Sequence, residues 1–397
     1  MKTAPIIDTT GFPKELILLL KILGSHSLDE SHFVDVDWNK FLDLAFHHRV
    51  YPILYVRLKE YTNTSIPHTV IKALHSKYST NVINMLRLSS ELEKINKEFL
   101  DLNIQSLLLK GPVLALKLYG DLSLRTSKDL DILVSPHHVT QAEEILVRLG
   151  YETEEKDQDA INIRKRKQYH ISYVHPLRLT QVELHWHMSL ELPGPSFEDL
   201  WERRITATVS SSPINYLGNE DLLVYLVSHG SKHGWFRLRW LYDIDQMMSK
   251  DMINIEKLKQ IYKSDGGQHL AGQSLLLTSK LFSTRLPNQL EILTHNKRSQ
   301  KLAYSALFFI KNKVDLSPDG DKHILGLHKH YLYSLMTWKQ KLSQIIVYLY
   351  PSPKDVLLLP LPKSLHFLYF PLRPFLWLWR SLRKESESEG KLFKLGR

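Results

Sequence analysis

Apolar positions recur at three- and four-residue intervals through most of the first hundred residues. ELILLLKIL, WNKFLDLAFHHRVYPILYVRLKEY and NVINMLRLSSELEKINKEFLDL each carry that spacing, which gathers their apolar side chains on one helical face. From 104 to 190 the rhythm shortens. IQSLLL, DILV, YHISYV and TQVELHWHM are brief apolar or alternating runs with strand character. Between them, SPHHVTQAEEILVRLG reads as one helix. Ser135 is placed to cap it, Pro136 takes the first turn, Val139, Ala142, Ile145, Leu146 and Leu149 form one face, and Gly150 ends it. Helical spacing returns from 219 with NEDLLVYLVSHGSKHGWFRLRWLYDIDQMM, and the chain holds no internal repeat. The pattern predicts an α+β protein: a small mixed-sheet module flanked by N-terminal and C-terminal helical regions. The regions fall at 1–100, 101–192 and 193–312, with a helical, basic and aromatic tail at 313–397.

Composition narrows this reading. With 397 residues, 43% hydrophobic and 24% charged, the chain has the balance of an ordinary globular protein with a substantial core. It has no cysteine, which excludes disulfides and thiolate metal sites and suits a reducing interior. The N-terminal run MKTAPIIDTTGFPKELILLLKIL is short and broken by Lys21, unlike a secretory segment or a membrane span. A cytoplasmic location is expected. The formal charge of +10, from 52 basic and 42 acidic side chains, suits anionic partners and equally suits plain solubility.

Asp-x-Asp occurs five times, and only context separates the copies. Asp157/Asp159 lies in a charged stretch that reads as a solvated loop. Asp319/Asp321 belongs to a segment that opens like a calcium loop but has Gly326 where a bidentate Glu is needed. Asp35/Asp37 precedes a helix and is explained by capping. Asp243/Asp245 lies within a helix, where i and i+2 side chains diverge. Asp129/Asp131 opens a strand, where i and i+2 point to one face, so both carboxylates converge. Two like charges there call for a divalent cation. Glu183, in the alternating run Val182-Glu183-Leu184-His185-Trp186, is an available third carboxylate or a plain strand residue facing solvent.

A turn upstream offers the complementary half. In LLLKGP the apolar run stops at Lys110-Gly111, and Pro112 opens the helix PVLALKLYG. Glycine permits close backbone approach, and a helix N-terminus favours an anion. A triphosphate fits such a turn, with Lys110 as a point charge and Arg125 as a forked donor.

These pieces together resemble the nucleotidyltransferase superfamily with the DNA polymerase β-type fold, and within it the bacterial uncharacterised nucleotidyltransferase family proteins. The resemblance runs through Lys110, Gly111, Tyr119, Arg125, Asp129 and Asp131, then Glu183, Leu184, His185 and Trp186, then His229, His233, Trp240 and Asp243. The segment YPSPKDVLLLPLPKSLHFLYFPLRP also resembles the C-terminal part of such proteins. Pro112 stands where many superfamily members carry a serine, and the gap to the aspartates is longer. The resemblance implies that 101–192 is the nucleotidyltransferase core, with an NTP as substrate and Mg²⁺ or Mn²⁺ as cofactor. Asp129, Asp131 and Glu183 would hold two ions roughly 3.5–4 Å apart, with Glu183 also serving as general base. Lys110, Gly111, Arg125, His229 and His233 would contact the nucleotide.

Other features keep two readings each. His229 and His233, four apart on one helix face, suit a metal, a nucleotide or acceptor contact, or packing. Arg237 and Arg239 suit phosphate, or pairing with Asp243 and Asp245. Arg164 to Lys167 reads as an exposed hairpin flank or an acceptor patch, without the interleaved aromatics that stack single-stranded bases. No sequence-specific nucleic-acid partner is expected. The tail FLYFPLRPFLWLWRSLRKESESEGKLFKLGR, broken by prolines, suits docking on the helical core or peripheral contact with an acidic membrane. The chain is thus expected to move a nucleoside monophosphate onto an unidentified small-molecule, saccharide, peptide or protein acceptor. A catalytically silent nucleotide-binding protein, or a membrane-associated interaction protein, of the same fold is the alternative.

Overall fold

The computed structural model describes residues 7–24, 28–61, 65–153, 169–188, 195–209, 212–342, 358–359, 361, 363–377 and 379. Asp157/Asp159 and Arg164 to Lys167 lie outside them. The chain forms two compact units, Met1–Leu335 and Met336–Arg397.

In the first unit seven strands form one mixed sheet. They are β1 (Ser106–Leu108), β2 (Asp129–Val134), β3 (Glu152–Thr153), β4 (His170–His175), β5 (Thr180–His185), β6 (Ile205–Val209) and β7 (Ser212–Tyr216). Their order is β3-β4-β5-β2-β1-β7-β6. β2 runs antiparallel to β1 and parallel to β5, and the β6–β7 hairpin extends the sheet through a parallel contact between β7 and β1. The α+β class expected from the pattern is the class found.

Period-two alternation divides this sheet into two differently used faces. Leu130, Ile132 and Val134 of β2, with Val182 and Leu184 of β5, enter one core. That core is closed by the 34-residue helix His68–Asp101, through Met85, Leu88, Leu92, Ile95 and Phe99, and by helix Val139–Arg148. Leu107, Leu109 and Leu133 belong to a second core shared with the N-terminal and C-terminal helices. Asp129, Asp131, Glu183 and His185 share the parity of Leu133, so they stand on the second face.

Several local expectations hold. Asp37 caps helix Trp38–His47 by accepting from the Asn39 and Lys40 amides. Gly150 ends helix Val139–Arg148 with φ 88°. Asp321 accepts from the His323 and Ile324 amides at the start of helix Lys322–Leu335. Ser135 differs from its expectation: its side chain caps nothing. Pro136–His138 form a 3₁₀ turn in which the Ser135 carbonyl accepts from the His138 amide, so the α-helix starts later, at Val139.

No helix among the described residues is long and apolar enough to cross a membrane. In the second unit, Tyr369 is buried; its hydroxyl donates to the Leu359 carbonyl and accepts from the Leu361 amide. Phe367, Phe375, Trp377 and Trp379 are exposed there.

Candidate active site

Register decides where the acidic groups meet. In the parallel β2–β5 pair, Asp131 lies directly opposite Glu183, Asp129 opposite Gln181 and Leu133 opposite His185. Directly opposed residues of a sheet present their side chains to the same side. The carboxylates of Asp129, Asp131 and Glu183 therefore line one cleft of about 440 Å³.

Asp131 is its buried centre, with 0% of its side chain exposed. Its Oδ1 lies 3.0 Å from Lys110 Nζ and 3.3 Å from His185 Nε2. The same imidazole nitrogen is 3.5 Å from Glu183 Oε2, and Lys110 Nζ is 3.8 Å from Asp129 Oδ1. Burial alone would raise the Glu183 pKa, but the hydrogen bond from His185 and the Lys110 charge outweigh it and hold the carboxyl at about 2. Burial likewise opposes the charge on Lys110 and on His185, and the surrounding carboxylates raise both. Lys110 thus sits as a counter-charge among the carboxylates of the cluster.

Gly111 makes this placement possible through its backbone. It has φ 106° and ψ −144°, a conformation costly for a residue with a Cβ, and it turns the chain from β1 into helix Pro112–Tyr119. Gly111 is itself buried and lies outside the cleft lining, which Lys110 joins. The turn therefore aims Lys110 at the carboxylates.

Arg125 is not where a forked phosphate donor would be. It is 1% exposed and lies outside the cleft lining, with Nε 3.0 Å and Nη2 2.9 Å from the carboxylate of Asp243. The Tyr119 hydroxyl donates to the same Asp243 carboxylate at 2.7 Å. The bidentate pair takes up Nε and Nη2, and Nη1 is buried without a hydrogen-bond partner on a residue outside the cleft lining. Three residues grouped by the family resemblance thus form one internal clasp, joining helices Pro112–Tyr119 and Leu238–Ser249.

The opposite wall comes from helices Asn219–Lys232 and Leu238–Ser249 and from the segment between them. Gly230 lets this corner close, because a Cβ there would stand 2.1 Å from the Trp235 ring. His229 and His233 reach the cleft beside Trp240; the His233 ring stacks on the indole at 5.1 Å and 24°, and His229 meets its edge at 5.4 Å. Burial and neighbouring cations keep both imidazoles uncharged at neutral pH, His229 well below its ordinary value and His233 at about 3.

Arg49, Lys128, Lys232, Arg237 and Arg239 also line the cleft. Arg237 donates to the His47 carbonyl and Arg239 to the carbonyl and hydroxyl of Thr126; neither hydrogen-bonds Asp243 or Asp245. Burial and repulsion among the arginines push Arg237 and Arg239 below their ordinary range. An arginine stays protonated regardless, so this crowding is relieved by an arriving anion. Arg239 Nε is moreover buried and without a hydrogen-bond partner.

A family model described as "Uncharacterised nucleotidyltransferase" matches residues 34–283, more than half of the chain and all of this cleft. The chain belongs to that family. The solved structure of an antigenic nucleotidyltransferase-like protein from Paracoccidioides brasiliensis is similar to 53% of this chain and 97% of its own, at 16% identity and a TM-score of 0.31. The curated proteins give no match.

For a nucleotidyltransferase the donor set suits a divalent cation. Asp131, Glu183 and His185 each offer a ligand atom, and these atoms lie within 4.8 Å of one another. Asp131 Oδ2 is buried with no hydrogen-bond partner, an unmet acceptor where a cation would supply the missing charge. Asp129 lines the same cleft but is not in this compact group, and His185 is. Arg49, Tyr169, His170, Tyr225 and Lys232 are cleft residues that sequence reasoning passed over.

Proposed function

We propose that the chain transfers the nucleoside monophosphate of an NTP to the hydroxyl of an acceptor and releases pyrophosphate. The observation that carries this reading is the matched register of Asp131 and Glu183, which sets the two carboxylates side by side in a cleft that Arg49, Arg237 and Arg239 also line. Acidic groups alone would suit a metal; the arginines add the demand for a polyanion.

Asp129, Asp131 and Glu183, with His185 beside them, would hold Mg²⁺ or Mn²⁺. Such an ion polarises a phosphoryl oxygen and acidifies a bound hydroxyl. The chain's own groups position the reactants. Arg237, Arg239 and Lys232 take the phosphates, while the uncharged His229 and His233 offer hydrogen bonds to the nucleotide beside Trp240. The acceptor oxygen forms a bond to the α-phosphorus, and the bond from that phosphorus to the β-phosphate bridge breaks with its electron pair leaving on pyrophosphate. The hydroxyl proton passes to Glu183, which releases it to solvent. Lys110 restrains Asp129 and Asp131 in their common orientation.

Titration calorimetry with each NTP and Mg²⁺ tests the wall. Arg237→Gln and Arg239→Gln should each weaken NTP binding roughly 10- to 100-fold, the range of one lost charge-assisted hydrogen bond. Unchanged affinity in both variants would contradict the assignment.

A further inference from the structure

A second hollow, of about 430 Å³, adjoins the Asp129 end of the site. Its floor continues the carboxylate-bearing sheet face, since Val174 pairs with Gln181 and Gln181 with Asp129. One wall is helix His68–Asp101, which presents Thr80, Asn84 and Arg87 at helical spacing. The loop Thr126–Lys128, leading directly into Asp129, closes the end. Asn84 braces this loop by donating to the Ser127 carbonyl at 2.8 Å, while its amide oxygen accepts from Arg87 at 2.7 Å.

Arg49 and Lys128 line both hollows, so the two meet beside Asp129. Among the described residues, the charged groups lining the second are Arg49, Arg87 and Lys128, all cationic. Its other polar lining consists of amides and hydroxyls, which suit a ligand rich in hydroxyl groups.

We infer that this groove is the acceptor subsite and that it takes an anionic acceptor bearing several hydroxyls, such as a phosphorylated or carboxylated sugar. The inference rests on the nucleotidyl-transfer reading. With the nucleotide lying toward His229, His233 and Trp240, an acceptor hydroxyl must reach the α-phosphorus past the carboxylates from another side, and the groove opens there. Arg49 and Lys128 then stand between two anions and offset their repulsion. A cationic acceptor would meet three like charges without compensation.

Glucose 6-phosphate and glucuronate serve as anionic probes, and glucose as the neutral one. Their binding to the full chain is measured by saturation-transfer NMR with Mg²⁺ and an α,β-methylene NTP analogue in excess, which occupies the first hollow. Both anions should bind at least about tenfold more tightly than glucose. Arg87→Glu should abolish that preference and Arg87→Lys should keep it, with NTP affinity by calorimetry unchanged in both. Arg87 is exposed, so its replacement spares the fold. Equal binding of all three probes, or an anion preference that survives Arg87→Glu, overturns the assignment. A wild-type protein that binds the anions but no NTP overturns the transfer reading instead.

Discussion

Asp131→Asn should lower nucleotidyl transfer at least about 100-fold, the scale on which one preorganised electrostatic contact acts. The substitution keeps the shape and removes the charge at the one fully buried carboxylate of the cluster. Lys110 and His185 both point donors at Asp131 Oδ1, and an asparagine amide can accept from only one side while turning two hydrogens toward the other. The unmet Oδ2, the atom best placed to accept a cation, is lost outright in one orientation of the amide. The variant should also lose the rise in melting temperature that Mg²⁺ or Mn²⁺ with NTP confers on the wild type. Pyrophosphate release and thermal melts check the two parts. Near-normal turnover with metal stabilisation intact would remove Asp131 from the site.

The second large effect concerns stability. Asp243→Asn leaves the Arg125 guanidinium buried without its counter-charge, and such a break costs about 3–5 kcal/mol. Asp243 is completely buried and receives both Arg125 and the Tyr119 hydroxyl, so no water can replace the missing charge without opening the helix contact. Removing both charges, as Arg125→Met with Asp243→Leu, should be much less harmful than the sum of the single changes. Urea unfolding of the four proteins gives the cycle, and additive losses would show that the clasp is not one unit. Helix Leu238–Ser249 carries Arg239 and Trp240 into the cleft. A loosened clasp should therefore also raise the KM for NTP, although none of the three clasp residues lines the cleft.

The contrast between these two residues explains what could be read from the chain. Asp131 was legible because β2 alternates: three apolar side chains enter one core and the aspartates take the other face. Glu183 shows the same alternation in β5, yet its position opposite Asp131 is a matter of strand pairing, which no local pattern encodes. Arg125 resembled a ligand group because its partner lies 118 residues away, beyond any local signal. Arg49 and Tyr225 enter the cleft from separate helical segments, and nothing in HHRV or DLLVYLV marks them. The β6–β7 hairpin was hidden as well; ITATV and SPINY are short, and Pro213 weakens the strand signal. His185 had a trace only through the acidic-Leu-His-Trp resemblance, and its place in the compact donor group comes from its two-residue spacing from Glu183.

The central claim, that this cleft moves a nucleoside monophosphate, is tested most directly by following where the label of an NTP goes. Purified protein is incubated with Mg²⁺, a hydroxyl-bearing acceptor and NTP labelled in turn at the α- and γ-phosphorus. The account predicts that α-label becomes attached to the acceptor while γ-label leaves as pyrophosphate, and that chelating the metal stops both. Release of γ-label as orthophosphate, with α-label remaining on a nucleoside diphosphate, would contradict it.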